Sequence, residues 1–75
     1  MHRKIDVKRT GSHLKRMISG AGFTVAEVQN YLGLAYPQVI YRWYNGHTLP
    51  NVEHLLEISV LLNRRIEELI VLKES

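Results

Sequence analysis

Residues 24–46, TVAEVQNYLGLAYPQVIYRWYNG, contain the signals for two short helices joined by a tight turn. Thr24 is a favourable N-cap, and Glu27 stands three residues later, which is the spacing of a capping box. Gly33 can adopt the positive φ that ends a helix, and Pro37 suits the start of the next helix because its missing N–H is not needed there. The stretch therefore predicts a helix, a glycine turn and a second helix.

The rest of the chain also has helical spacing. Leu14, Met17 and Ile18 fall at i, i+3 and i+4, on one side of a first helix. Asn51 is placed to cap a fourth helix, and Asn63 to end it in the left-handed conformation. The predicted helices are about 10–20, 25–32, 37–44, 52–62 and 66–71.

The length and composition indicate one small domain. The chain has 75 residues, of which 45% are hydrophobic, and it has no cysteine. We expect a basic N-terminal arm over residues 1–9, which lack an apolar period, and a single domain over residues 10–75. Neither a signal peptide nor a membrane span is predicted, and the lack of cysteine fits a cytoplasmic protein.

The charge is unevenly distributed along the chain. Residues 1–42 carry seven Lys or Arg and two acidic residues, whereas residues 43–75 carry three and five. A cationic half of this kind favours a polyanionic partner, although a net charge of +3 is also ordinary for a soluble domain. Helix placement is therefore needed to decide between the two interpretations.

A family resemblance covers most of the chain, from about Thr10 to Val71. Residues 32–46, LGLAYPQVIYRWYNG, and residues 48–71, TLPNVEHLLEISVLLNRRIEELIV, resemble the lambda-repressor-like, or xenobiotic-response-element (XRE), class of Cro-type bacterial and phage regulators. The resemblance implies an all-α, five-helix DNA-binding domain with a helix-turn-helix. Its second helix, about 37–44, would enter the major groove of double-stranded DNA. A transcriptional regulator, with repression the expected mode, is therefore predicted.

Three features depart from the usual family pattern. The interval from Gly33 to Gly46 is one residue longer than usual, as in a subgroup with the pattern LGLxxPQxxYxW. Gln29 stands where a small alanine usually lets the helices approach, and Val25 replaces a glutamine that usually braces the recognition helix. We therefore expect a changed helix crossing and changed contacts to DNA.

The recognition helix supplies the candidate base contacts. Gln38 suits adenine and Arg42 suits guanine, and their i, i+4 spacing places them on one helix face. Tyr41 and Tyr36 are candidates either to pack on a thymine methyl group or to bond to a phosphate. The resemblance assigns Gln38, Tyr41 and Arg42 to base-reading positions and Asn45 to a phosphate contact. The expected phosphate contacts are Thr24, Asn45, Lys15, Arg16 and His47.

The same sequence admits other interpretations of the helix. Gln38 and Arg42 would form a merely solvated face if the domain did not bind DNA. Trp43 is a possible stacking platform, but its spacing from Ile40 favours the core. Tyr44 is expected to seal the edge of the core.

We also expect a homodimer on DNA, because one recognition helix offers few base contacts. The candidate dimer surface consists of Leu61, Ile66, Leu69, Ile70 and Val71. Two alternatives remain open: a protein-interaction module of the antitoxin type with the same fold, and a single-stranded nucleic-acid binder that uses the tyrosines.

The sequence contains no motif typical of a catalytic site or a metal site. The four histidines are dispersed, and His54 with Glu57 is more typical of a solvated helix face than of a metal site. No pair of residues has the spacing of a nucleophile and its base. No enzyme activity, cofactor, metal or small-molecule ligand is therefore predicted.

Overall fold

The computed structural model describes residues 4–74 and contains five α-helices. They are α1 Val7–Gly20, α2 Val25–Leu32, α3 Gln38–Tyr44, α4 Val52–Leu62 and α5 Ile66–Leu69. The all-α, five-helix prediction is confirmed, and the predicted bounds of α2 and α4 match. Helix α3 begins one residue later than predicted, and α5 is two residues shorter.

Helix α1 begins earlier than the sequence predicted. The Asp6 carboxylate accepts a hydrogen bond from the backbone N–H of Arg9 at 3.0 Å and so caps the helix. The prediction that residues 1–9 form an arm is wrong for Val7–Arg9, which belong to α1. Residues 1–3 of that arm lie outside the described residues.

Residues 4–6 pair with the C-terminal segment. Ile5 and Leu72 form an isolated antiparallel bridge. The backbone N–H of Asp6 donates to the Val71 carbonyl, and the N–H of Lys73 donates to the Lys4 carbonyl, both at 2.8 Å. Because of this pairing, the folded domain includes residues 4–9, and its N-terminal segment is bonded to its C-terminal segment.

The local signals around the turn act as predicted. Thr24 and Glu27 form a complete capping box at the start of α2, and Gly33 ends α2 with a φ of 69°. Gln29 has a role that its sequence position did not suggest, because its side-chain amide donates to the Leu34 carbonyl at 3.3 Å. That bond links α2 to the start of the 33–37 connection.

Helix α4 has the two asparagine boundaries expected from the sequence. The Asn51 side chain accepts from the His54 N–H at 2.8 Å, and Asn63 follows the helix in the left-handed conformation with a φ of 54°. His54 differs from the expectation of a solvated residue. It is half-buried, and its ring centroid lies 5.6 Å from that of Trp43.

The core is formed by residues from all five helices. Trp43 and Ile40 are buried, with Trp43 only 3% exposed, so the choice of a core position over a stacking platform is confirmed. The buried hydrophobic residues are Leu14, Ile18, Val28, Leu32, Ile40, Trp43, Ile58 and Leu69. Through this core α1 packs against α3 and α5, and α4 packs against α5.

The outer side of α4 is apolar and exposed. Val52, Leu56 and Val60, at i, i+4 and i+8, are 76%, 54% and 66% exposed. We call these three residues the α4 stripe. Leu69 of the predicted dimer surface is fully buried in the domain's own core, so that part of the surface prediction is wrong. Leu69 faces the core from α5. Helix α5 has only four residues, too few for their spacing to predict which side is buried.

Among the described residues, no helix has the length and apolar character needed to cross a membrane.

Candidate nucleic-acid interface

Helix α3 separates a buried face from an exposed polar face. Ile40 and Trp43 anchor it in the core. The exposed side chains are Gln38, Tyr41, Arg42 and Asn45, which follow one another at i, i+3, i+4 and i+7. This periodicity places four groups that can bond to a ligand on a single side of α3.

Aromatic side chains extend this exposed surface. Tyr36, which precedes α3, is 68% exposed, and Tyr41 is 49% exposed. Tyr44 is half-buried and packs against the core, as expected for a residue at its edge. Burial raises the pKa of Tyr44 to about 12, and the nearby Tyr41 adds to the rise. Tyr44 therefore keeps its hydroxyl proton throughout the physiological range.

A shallow concavity lies between the end of α1, the start of α2 and α3. It brings together three of the five expected phosphate contacts: Lys15, Thr24 and Asn45. Its full lining is Lys15, Ser19, Phe23, Thr24, Val25, Tyr41, Tyr44 and Asn45. Val25, which departs from the family pattern, contributes an apolar wall here. We call this feature the α1–α3 concavity.

The Thr24 hydroxyl is already used inside the capping box. It accepts a hydrogen bond from the Glu27 N–H and donates one to the Glu27 carboxylate, both at 3.1 Å. The Thr24 backbone N–H also donates to that carboxylate, at 2.9 Å. A phosphate at the start of α2 would compete with Glu27 for these donors.

The two other expected phosphate contacts lie outside the α1–α3 concavity. His47 is exposed just after α3, where its N–H donates to the Arg42 carbonyl at 2.9 Å. Arg16 instead lines depressions on the other side of α1, one of them with Lys8, Arg9 and Ser12. Lys15 and Arg16 are adjacent in the sequence, but they line different depressions of α1, so we do not assign Arg16 to the surface beside α3.

The electrostatic character of the interface is cationic. Helices α1 and α3 contain no acidic residue, and Glu27 is the one acidic residue between Asp6 and Glu53. Within residues 4–74, Lys15 and Arg42 make no salt bridge. Both charges are therefore available to an anionic ligand.

The described part of the chain shows no group of three or more histidine or acidic side chains positioned to hold a metal ion.

Two contributions to the interface were missed at the sequence level. Gly11 lets α1 approach α3 closely, because a Cβ atom built there would lie 2.0 Å from the Trp43 carbonyl oxygen. Gln29 braces the turn that leads into α3. Neither could have been recognised from local propensity, since both roles depend on a backbone group elsewhere in the fold.

Comparison with known families supports the same assignment. A family model described as the Cro/C1-type HTH DNA-binding domain matches residues 13–75. Comparison with individual curated proteins finds no match. The matched region contains α2, the turn and α3, together with α4, α5 and most of α1. With its helix-turn-helix geometry and this match over most of its length, the chain belongs to the Cro/C1-type HTH DNA-binding domain family.

Proposed function

We propose that this chain is a sequence-specific transcriptional regulator of a bacterium or phage, and that it acts as a repressor by occupying its operator. The observation that supports this proposal best is the exposed face of α3. Gln38, Tyr41, Arg42 and Asn45 share that face, while Ile40 and Trp43 hold the helix against the core. A rigidly held helix with one polar face fits the major groove.

Base reading is assigned to Gln38 and Arg42 of that face, together with Tyr41 and Tyr36. Gln38 would bond to N6 and N7 of adenine, and Arg42 to O6 and N7 of guanine. Their four-residue separation corresponds to about 6 Å along the helix axis, which spans neighbouring base pairs. Tyr41 and the strongly exposed Tyr36 would pack against thymine methyl groups at the edges of the site.

Phosphate binding is assigned to the α1–α3 concavity and its surroundings. Lys15 supplies the charge, and Asn45 supplies a neutral donor beside it. Thr24 would contribute once a phosphate displaces the Glu27 carboxylate, and His47 lies at the end of α3. These contacts carry most of the affinity and fix the orientation of α3, whereas base contacts choose the site.

Binding-site selection from random duplexes, followed by alanine substitution, tests this function. Arg42→Ala and Gln38→Ala should each lower discrimination at one base pair by about 1–3 kcal/mol. Circular dichroism should show a retained fold, because both side chains are exposed. Lys15→Ala is the matched control, and it should weaken binding equally on all sequences.

The proposal would be abandoned if wild-type protein selected no sequence, or if it bound single strands of the same sequence more tightly than duplexes. The second result would favour base stacking on Tyr36 and Tyr41, which are both exposed.

We further propose that the domain binds its operator as a homodimer through α4 and α5. Leu61, Ile66, Ile70 and Val71 of the expected surface are partly exposed, and the α4 stripe adds three strongly exposed apolar side chains. Exposed apolar surface of this kind is typical of a protein contact. A twofold-symmetric pairing would place the two α3 helices about 34–36 Å apart, one turn of duplex.

Light scattering of the complex with a palindromic duplex measures this stoichiometry. Two chains per duplex are expected for the wild type, and Leu56→Glu should reduce this to one chain without loss of helicity. One chain per duplex at saturating wild-type protein would contradict the homodimer.

A further inference from the structure

The outer surface of α1 is basic on two sides, and only one of them adjoins α3. Gly11 contacts the backbone carbonyl of Trp43, which fixes the direction of α3 as seen from α1. At about 100° per residue, Lys15 is turned about 40° from that direction, Arg16 about 140° and Arg9 about 160°. Arg9 and Arg16 therefore point away from the helix proposed to read DNA.

Arg9 and Arg16 lie along a shallow depression on this far side. Its lining is Lys8, Arg9, Ser12, Arg16 and Val71. We call the surface formed by Arg9, Ser12 and Arg16 the α1 basic face. Arg16 also lines an adjoining depression with Arg64, so the positive surface continues toward the end of α4.

The charges of the α1 basic face are weakly compensated. Arg16 makes no salt bridge with any residue from 4 to 74. The Arg9 guanidinium lies 3.4 Å from the Glu74 carboxylate, and both side chains are largely exposed. Such a pair contributes little in water, so an incoming anion can replace it.

The spacing of the α1 basic face allows contacts to a nucleic-acid backbone. Arg9 and Arg16 are seven residues apart, about 10.5 Å along α1, so their long side chains can reach separate phosphates of one backbone. The planar arginine fork suits phosphate oxygens, and Ser12 between the two arginines supplies a hydroxyl donor.

A duplex that lies along α3 would have to bend sharply around the domain to reach this face as well. The domain is 21 Å across at its narrowest, and duplex DNA is stiff on this scale, with a persistence length of about 150 base pairs, so such a bend costs free energy. We propose that the α1 basic face binds the phosphate backbone of a second duplex segment, so that one domain holds two segments of DNA. This inference rests on the proposed function, because the ligand is the same polymer.

A bead-capture experiment tests the proposal. A biotinylated duplex that carries the selected site is bound to beads and saturated with protein, and capture of a second, fluorescent duplex of unrelated sequence is measured. Wild-type protein should capture it, and capture should fall as salt rises. The double variant Arg9→Gln, Arg16→Gln should bind the second duplex about tenfold more weakly or worse, because two phosphate contacts are lost. Its affinity for the first duplex should be unchanged.

The matched control is Arg65→Gln, Lys73→Gln, which removes the same charge from exposed residues outside the α1 basic face and should capture normally. Circular dichroism verifies that both variants are folded. If Arg9→Gln, Arg16→Gln captured as well as the wild type, a homodimer would be bridging the duplexes and the inference would be wrong. Equal weakening for both duplexes would also overturn it, because the face would then belong to the first interface.

The remaining outcomes separate this inference from the proposed function. Site-specific binding of the first duplex without capture of the second would overturn the inference alone. Failure of the bead-bound duplex to retain the protein would overturn both. Capture of poly-glutamate in place of the second duplex, with the same dependence on Arg9 and Arg16, would assign the face to an acidic protein and refute the nucleic-acid assignment.

Discussion

Gly11 shows how one missing methyl group sets the distance between two helices. It lies inside α1, where glycine is intrinsically unfavourable, and it faces the backbone of α3. Because the Trp43 carbonyl occupies the space that a Cβ atom would need, no larger residue fits without moving α1 or α3. The cost of glycine in a helix is therefore offset by the close packing that positions the exposed face of α3.

We predict that Gly11→Ala destabilises the domain by about 3 kcal/mol or more, because the clash is with backbone atoms that cannot rotate away. Gly20→Ala is the control in the same helix. Nothing lies within 4 Å of its Cβ position, so stability should stay equal or rise by up to about 1 kcal/mol. Urea unfolding measures both. Equal effects of the two substitutions would show that the α1–α3 approach is not this tight.

Tyr44 gives the fold a specific dependence on alkaline pH. Its folded-state pKa is raised to about 12, above the unfolded value of about 10. The folded state therefore holds this proton more tightly, so the contribution is fully present below pH 10 and is lost as the pH rises toward 12.

We predict that the melting temperature of the wild type falls relative to that of Tyr44→Phe as the pH is raised from about 10 to about 12. An ultraviolet titration should show that Tyr44→Phe lacks the component that ionises near pH 12. A stability difference between the two proteins that does not change with pH would mean that Tyr44 is not buried as described.

At the scale of the elements, hydrogen bonds join Thr10 of α1 to Val71, which follows α5, and local signals do not predict them. We call this contact the Thr10–Val71 clasp. Thr10 is fully buried in α1. Its hydroxyl accepts from the Val71 N–H at 2.9 Å and donates to the Val71 carbonyl at 3.3 Å. One side chain thus satisfies both backbone groups of a residue 61 positions away, just after α5.

Replacement of that hydroxyl should open the clasp. Thr10→Val keeps the volume but leaves the Val71 N–H without its partner, which should cost about 1–3 kcal/mol. Hydrogen exchange at the Val71 amide should accelerate in this variant and stay protected in Thr10→Ser, which retains the hydroxyl. Unchanged exchange in Thr10→Val would show that the clasp does not depend on this bond.

At the scale of the whole molecule, the separation of charge determines how binding responds to salt. Five of the ten Lys and Arg residues lie on α1 and α3, which contain no acidic residue, and five of the seven acidic residues lie beyond residue 52. The part of the molecule that contains α1 and α3 therefore attracts a polyanion, and we expect much of the affinity for duplex DNA to come from released counterions.

We predict a steep decrease of duplex affinity with salt, and a slope of log K against log salt that Lys15→Ala reduces by about 0.9, one phosphate contact. Arg65→Ala is the control, because Arg65 already pairs with Glu68 away from α3 and should not change the slope. Fluorescence anisotropy at several salt concentrations measures the slope for each protein. A flat salt dependence of the wild type would contradict groove binding.

Local signals were sufficient to predict the helices around the turn and the exposed side of α3. The Thr24 capping box, the left-handed Gly33 and the Asn63 terminus depend on hydrogen bonds that reach no more than about four residues, so they can be recognised locally. The exposed face of α3 followed from the three-residue spacing of Ile40 and Trp43, which is a property of any helix with one buried side.

Features that depend on contacts between residues far apart in the chain could not be predicted from local signals. The pairing of residues 4–6 with residues 71–73 joins segments more than 60 residues apart, and the burial of Leu69 depends on the packing of α5 against α1 and α4. The α4 stripe is exposed because none of the other helices that the structure describes covers that side of α4. Since most residues of α4 are apolar, their spacing does not predict which side is buried. Lys15 and Arg16 both lie off the apolar stripe of α1, and both are predicted phosphate contacts. Adjacent helical residues point about 100° apart, so the position of α3 beside Gly11 assigned them to different surfaces.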